Sequence, residues 1–151
     1  MTTLGLLLAA GLLTVGCAER QSKTQYEETI QDARKERIQV LNRMKTVSPE
    51  DEEFFLESQK RLDGLADDLA DVGAPSNVTA AHAAQVEGLH GIADILGEFG
   101  RCARLQQQDA AKGTQCRSSI NSLAIDEARN DLDEADTIYR DKGYDLGPEK
   151  G

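Results

Sequence analysis

The chain has 151 residues, a formal net charge of −10 at pH 7 and three cysteines. Asp and Glu outnumber Lys and Arg by 27 to 17, which argues against a nucleic-acid binder, because displacing counterions from phosphates needs basic side chains. The same balance argues against adhesion to anionic headgroups through the protein surface, and the length suits one modest domain.

In chain order, the first element is an uncharged apolar run from Leu4 to Val15. Spanning a bilayer takes about 20 apolar residues, so this run is too short to cross and instead matches the apolar region of an export signal. It leads to Cys17, and a polar, charged stretch follows at once (Ala18-Glu19-Arg20-Gln21-Ser22-Lys23). The residues Leu13-Thr14-Val15-Gly16-Cys17 resemble the lipobox of bacterial lipoproteins. The resemblance is confined to the N-terminus. It implies removal of residues 1–16 as a signal peptide, palmitate-type lipid on the Cys17 thiol, and a tether over 17–23. It also implies anchoring on the extracytoplasmic side of the cell membrane. One acyl chain binds a membrane marginally and two bind it stably, so the lipid suffices as anchor.

The spacing predicts a first helix from about Thr24 to Thr46, with apolar residues at Tyr26, Ile30, Ala33, Val40, Leu41, Met44 and Val47. Arg37 interrupts this stripe. Its aliphatic stem is expected to cover apolar surface while its head reaches water. Ser48-Pro49-Glu50-Asp51 reads as a helix start, with Ser48 as cap and Pro49 at the first helical position. The stripe Phe55, Leu62, Leu65, Leu69 and Val72 follows, and Gly73 and Pro75 end it. Asn77 and Thr79 are expected to cap a third helix that runs to about Gln108, with the seam Val78, His82, Gln85, Leu89, Ile92, Leu96, Phe99 and Ala103. The segment Gly73–His82 resembles the proline-turn-helix junction of small helical lipoproteins and exported proteins of high-GC Gram-positive bacteria. Gly113 is expected to break the third helix. A fourth then starts near Thr114 and carries Ile120, Leu123, Ala124, Ala128, Leu132, Ala135, Ile138 and Tyr139. Gly143 ends it, leaving a polar tail over 144–151.

These elements predict an all-α protein. The expected architecture is an antiparallel four-helix bundle over 24–143, made of two helical hairpins, roughly 24–73 and 77–142. If Cys17 carries lipid, Cys102 and Cys116 remain as an even pair. In an exported protein such a pair is expected to oxidise, with two buried thiols as the alternative. Because Cys102 lies farther from Gly113 than Cys116 does, either the third helix stops early or the loop folds back. Gly88, Gly91, Gly97 and Gly100 each weaken the third helix by about 1 kcal/mol relative to alanine. Close approach of a neighbouring helix, a bend, or a ligand groove would each account for them.

Few motifs carry chemistry. Glu87-Gly88-Leu89-His90 is a single Glu-x-x-His, where a di-iron bundle needs two. His82 and His90 stand about 12 Å apart along a helix, too far to share one metal. What remains is a weak single site using His90, Glu87 and carboxylates such as Asp63 and Asp67. Asp63, Asp67 and Asp71 form a like-charge ladder at intervals of four. It reads as a solvated acidic face, or as a place for a cation or basic partner. Asp126, Glu127, Asp131, Asp133, Glu134 and Asp136 read the same way. No nucleophile motif or phosphate loop is present. The expectation is a non-enzymatic, cofactor-free envelope protein that binds a protein partner, with a metal-ion or small-ligand binding protein as the alternative.

Overall fold

The structure is a computed structural model that describes residues 22–148. Cys17, the apolar run before it and most of the tether lie outside the described residues. The described part is all-α, with five helices and no strand.

Helix α1 (Lys23–Met44) begins on a capping box. Ser22 accepts the Gln25 N–H at 3.2 Å, and the Gln25 side chain accepts the Ser22 N–H at 2.9 Å. The helix thereby takes over the last residues of the expected tether. Helix α2 (Glu52–Ala70) is capped by Asp51, not Ser48: the Asp51 carboxylate accepts the Phe54 N–H at 2.9 Å. Asp51 stands directly before Glu52 and Glu53, where negative charge meets the positive end of the helix dipole. Ser48 stays in the preceding turn, accepting the Glu50 N–H, and Pro49 lies outside the helix.

Helix α3 (Thr79–Gln108) has no side-chain cap. Asn77 instead accepts the Tyr144 hydroxyl at 3.2 Å, and the Thr79 hydroxyl donates back to the Pro75 and Ser76 carbonyls. The chain then reverses at Asp109, whose carboxylate caps helix α4 (Ala110–Ser118) by accepting the Ala111 and Lys112 N–H groups. Gly113 therefore sits inside a helix instead of breaking one. It is the site of closest approach as α4 doubles back along α3: a Cβ there would stand 2.4 Å from Gln106 Cα. This fold-back brings Cys102 and Cys116 into a disulfide with Cα atoms 5.3 Å apart. The loop folds back and α3 keeps its length.

The expected fourth helix is two. Asn121 accepts the Leu123 N–H and starts helix α5 (Ser122–Asp141) afresh. The restart rotates the seam, so that Leu123, an expected seam residue, is 73% exposed. Ala128, Leu132, Ala135 and Tyr139 are buried as expected. Gly143, at φ +74°, ends α5. The following residues, read from the sequence as a polar tail, fold back: Tyr144 and Leu146 are buried. The Asp145 carbonyl accepts from Gln31, and its N–H donates to Glu27.

Helix α3 is the central element, with α2, α4 and α5 packed closely against it. Its glycines make this possible. A Cβ on Gly88 would meet Leu132 at 2.6 Å, and one on Gly91 would meet Ala128 at 2.8 Å, both on α5. On the opposite side, Gly97 abuts Gln59 and Gly100 abuts Leu56, both on α2. Among the three readings of these glycines, close helix approach is the one observed. The α1 backbone makes sparse close approaches, to α2. Long side chains hold α1 to its neighbours: Arg61 pairs with Glu36, and Arg43 lies over the Phe54 ring at 4.9 Å.

Candidate ligand groove between α1 and the α3–α5 pair

Holding α1 off leaves a groove of about 750 Å³ between it and the α3–α5 pair. Ligand pockets typically enclose roughly 300–1,000 Å³. The α1 wall repeats every three or four residues, through Arg34, Arg37, Ile38, Leu41 and Lys45. Ile92, Ile95 and Phe99 of α3 and Ile125 of α5 supply further apolar lining.

The charges are arranged unlike those of the rest of the chain. Arg34, Arg37, Lys45, Arg129 and Arg140 line the groove, against Asp133 and Asp136. Five cations face two carboxylates, on a protein whose net charge is −10. At one end Asp136 Oδ2 accepts from Arg34 Nε and from Arg37 Nη2, both at 3.0 Å. All three side chains are less than a tenth exposed. Arg34 is also held by the Leu146 carbonyl. The Arg37 head thus does not reach water, contrary to expectation, and its Nη1 is buried without a hydrogen-bond acceptor among the described residues. A buried charged donor left unpaired is costly. Asp136 likewise leaves the solvated acidic face to which its neighbours belong.

A second buried polar cluster lies nearer the start of α1. The Tyr26 hydroxyl bonds His82 Nδ1 and the Tyr139 hydroxyl, each at 2.9 Å. Burial holds the His82 pKa below the usual imidazole value. Burial pushes Tyr26 up to about 12 and raises Tyr139 as well. The Tyr144 ring packs edge-on against Tyr26, with centroids 5.8 Å apart. His82 is buried and hydrogen-bonded through Nδ1, in line with its reading as a hydrogen-bonded seam residue.

Of the residues proposed for a metal, three meet: His90, Asp63 and Asp67. His90 pairs with Asp63 through Nδ1 at 3.1 Å and faces Asp67 through Nε2 at 3.6 Å. These carboxylates sit against opposite edges of the ring and do not converge on one point. Glu87, three residues before His90 on α3, lines the α3–α5 surface with Gly91, Asp94, Glu98, Glu127 and Asp131. Among the described residues no group of three or more His, Cys, Asp or Glu side chains is placed to hold a metal ion. The Asp63–Asp67 ladder is answered by His90 across the helix pair.

Comparison with protein-family models, curated proteins and solved structures yields no match to this chain. The site is therefore read from its own residues. Arg34, Arg37 and Asp136 are the ones sequence reasoning missed. Their signal was present, since Arg37 breaks the α1 stripe and Asp136 follows the seam residue Ala135. Opposite charges intruding on two apolar stripes are the mark of a buried pair.

Proposed function

We propose that this protein is a non-catalytic binding protein of the bacterial cell envelope, held on the extracytoplasmic side of the membrane by lipid on Cys17. Its body is an antiparallel four-helix bundle of two hairpins, α1–α2 and α3–α5, with α4 as an appended turn. The groove beside α1 takes a small amphipathic ligand. The observation that carries this reading is the groove itself: a partly apolar cleft of about 750 Å³ beside a buried, incompletely paired arginine. The lipobox-like residues support the address. The burial of His82 and its hydrogen bond to Tyr26 support a structural, not catalytic, role for the histidine.

Binding is tested with the neutral dye Nile red and the full chain carrying Cys17→Ser. Saturable fluorescence is expected, and Ile125→Trp, which fills the groove from α5, should remove it. Equal fluorescence from both proteins would refute the groove as the site. The anchor is tested in cells: Cys17→Ser should lose the lipid mass and leave the membrane fraction.

A protein partner is the second reading. It is favoured by Leu123, which is 73% exposed at the start of α5, beside the acidic residues Asp126 and Glu127. Crosslinking in intact cells through position 123 should then recover one defined protein; recovery of none would dismiss this reading.

A further inference from the structure

We infer that residues 143–148 are a latch. They fasten the first half of α1 to the end of α5, and their release lets α1 open as a unit from a core of α2–α5, taking with it one wall of the groove. The consequence for the groove rests on the proposed binding function; the latch itself does not.

The first observation is a register. Four α1 side chains at helical spacing, Lys23, Glu27, Gln31 and Arg34, meet successive main-chain groups of the segment. Lys23 Nζ donates to the Gly143 carbonyl at 2.7 Å, and the Asp145 N–H donates to Glu27 Oε1 at 3.0 Å. Gln31 Nε2 donates to the Asp145 carbonyl at 2.9 Å, and Arg34 Nη1 donates to the Leu146 carbonyl at 3.4 Å. Residues three and four apart share one face of a helix, so a single stripe of α1 follows the segment along its length. Gly143 and Gly147, at φ +74° and +68°, turn the chain at either end of it. Between them Tyr144 and Leu146 are buried while Asp145 is exposed.

The second is a wedge. The Tyr144 ring packs against Tyr26 of α1 and Tyr139 of α5, with centroids 5.8 and 5.9 Å apart. Its hydroxyl donates to Asn77 Oδ1, ahead of α3, at 3.2 Å. One side chain thus joins α1 to two other parts of the fold.

The third is the uneven attachment of α1. Helices α2 and α5 reach α3 through glycine contacts, and α4 is joined to it covalently by Cys102 and Cys116. The α1 backbone makes only sparse close approaches, to α2. Its far end is tied through the turn to α2, where Gln107 and Arg117 donate to the Glu50 and Pro49 carbonyls respectively. Between that turn and the latch it is held by Tyr26 on His82 and Tyr139, and by Arg34 and Arg37 on Asp136. Segments with few close contacts open locally, below the free energy of global unfolding. The turn is then the hinge, and 143–148 the fastening at the other end. Because α1 supplies the groove wall from Arg34 to Lys45, its opening removes that wall.

The test is native-state hydrogen exchange, read peptide by peptide on the full chain carrying Cys17→Ser, with Nile red binding measured on the same proteins. In the parent, amides of α1 are expected to exchange about tenfold faster than those in the middle of α3. Tyr144→Ala/Leu146→Ala should speed α1 about tenfold further and leave α3 within about threefold. It should also weaken Nile red several-fold. If that variant does not fold, Glu27→Ala/Gln31→Ala removes two of the clamps without touching the core, and a several-fold acceleration of α1 alone is expected. Alanine favours helix, so faster exchange there reports a lost latch and not a weaker helix. Equal acceleration of α1 and α3 would make 143–148 an ordinary part of one cooperative core and overturn the latch. Exchange of α1 unchanged in both variants would overturn it too. Nile red bound equally by parent and variant, with α1 loosened, would overturn control of the groove and keep the latch. No dye bound by the parent would remove the binding function, while the exchange rates still decide the latch.

Discussion

The two sides of α3 that meet α2 and α5 differ in kind from the side that looks toward α1. Toward α2 and α5 the backbones come close, because Gly88, Gly91, Gly97 and Gly100 present no side chain. Toward α1 contact is made by long side chains: the Tyr26 hydroxyl on His82, and Arg34 and Arg37 on Asp136 of α5. Glycine contacts leave little room and tolerate little change. Contacts through arginine and tyrosine hold two helices at arm's length and leave a cleft between them. The same molecule thus has a close-packed seam and an open, charged one.

The largest expected effect lies in the open seam. Asp136→Ala removes the carboxylate that Arg34 and Arg37 share and should destabilise the protein by about 3–5 kcal/mol in urea unfolding, the range for breaking a buried pair from one side. A loss under 1 kcal/mol would mean that water already solvates these arginines and that α1 is not held by this pair. On the close-packed side, Cys102→Ser/Cys116→Ser releases a 14-residue separation between α3 and α4. Loop-closure entropy for such a loop is worth about 3 kcal/mol, so the midpoint of urea unfolding should fall accordingly.

A sharper comparison uses two glycines. Gly88→Ala gains helix propensity of about 1 kcal/mol. Its Cβ would stand 2.6 Å from Leu132 Cγ and 2.9 Å from the Ala128 carbonyl oxygen, which as backbone cannot easily yield. Overpacking of this kind costs about 1–3 kcal/mol, so a net loss is expected. Gly64→Ala meets nothing within 4 Å and should stabilise α2 by about 0.5–1 kcal/mol. The same sign for both substitutions would break the contrast between the seams.

The smallest effect is one of pH. Burial keeps the folded-state pKa of His82 below its usual value of 6.5. Between the folded and unfolded values the unfolded chain binds more protons. Stability from this group is therefore full above about pH 6.5 and is lost as pH falls below it. Thermal melts from pH 7.5 to 5.5 should show a steeper decline in the parent protein than in His82→Gln, which does not titrate.

Much of the fold was legible because apolar spacing survives packing. Ile30, Val40, Leu62, Leu69, Leu89, Ile92, Leu96 and Leu132 are buried where period and face place them. Local punctuation was less legible. Ser48 and Asp51 are both good caps, and the choice between them depends on how the preceding turn is held, in part by Arg117 donating to the Pro49 carbonyl. Gly113 read as a breaker because its close contact with Gln106 is made across a chain reversal. The groove was the least legible part, since it is a space between helices and no residue encodes it alone.

From its residues alone, this chain determines that it is helical and which faces of most helices are apolar, and it offers Cys102 and Cys116 as a pair only if Cys17 is taken by lipid. The helical properties follow from periodicity, which acts within a segment. Only the tertiary structure decided that α4 doubles back on α3, that Tyr144 and Leu146 join the core, and that Asp136 is buried between two arginines. Each depends on distances between segments far apart in the chain, and the charge pattern of one helix acquires its meaning only when a second helix supplies the opposite charge.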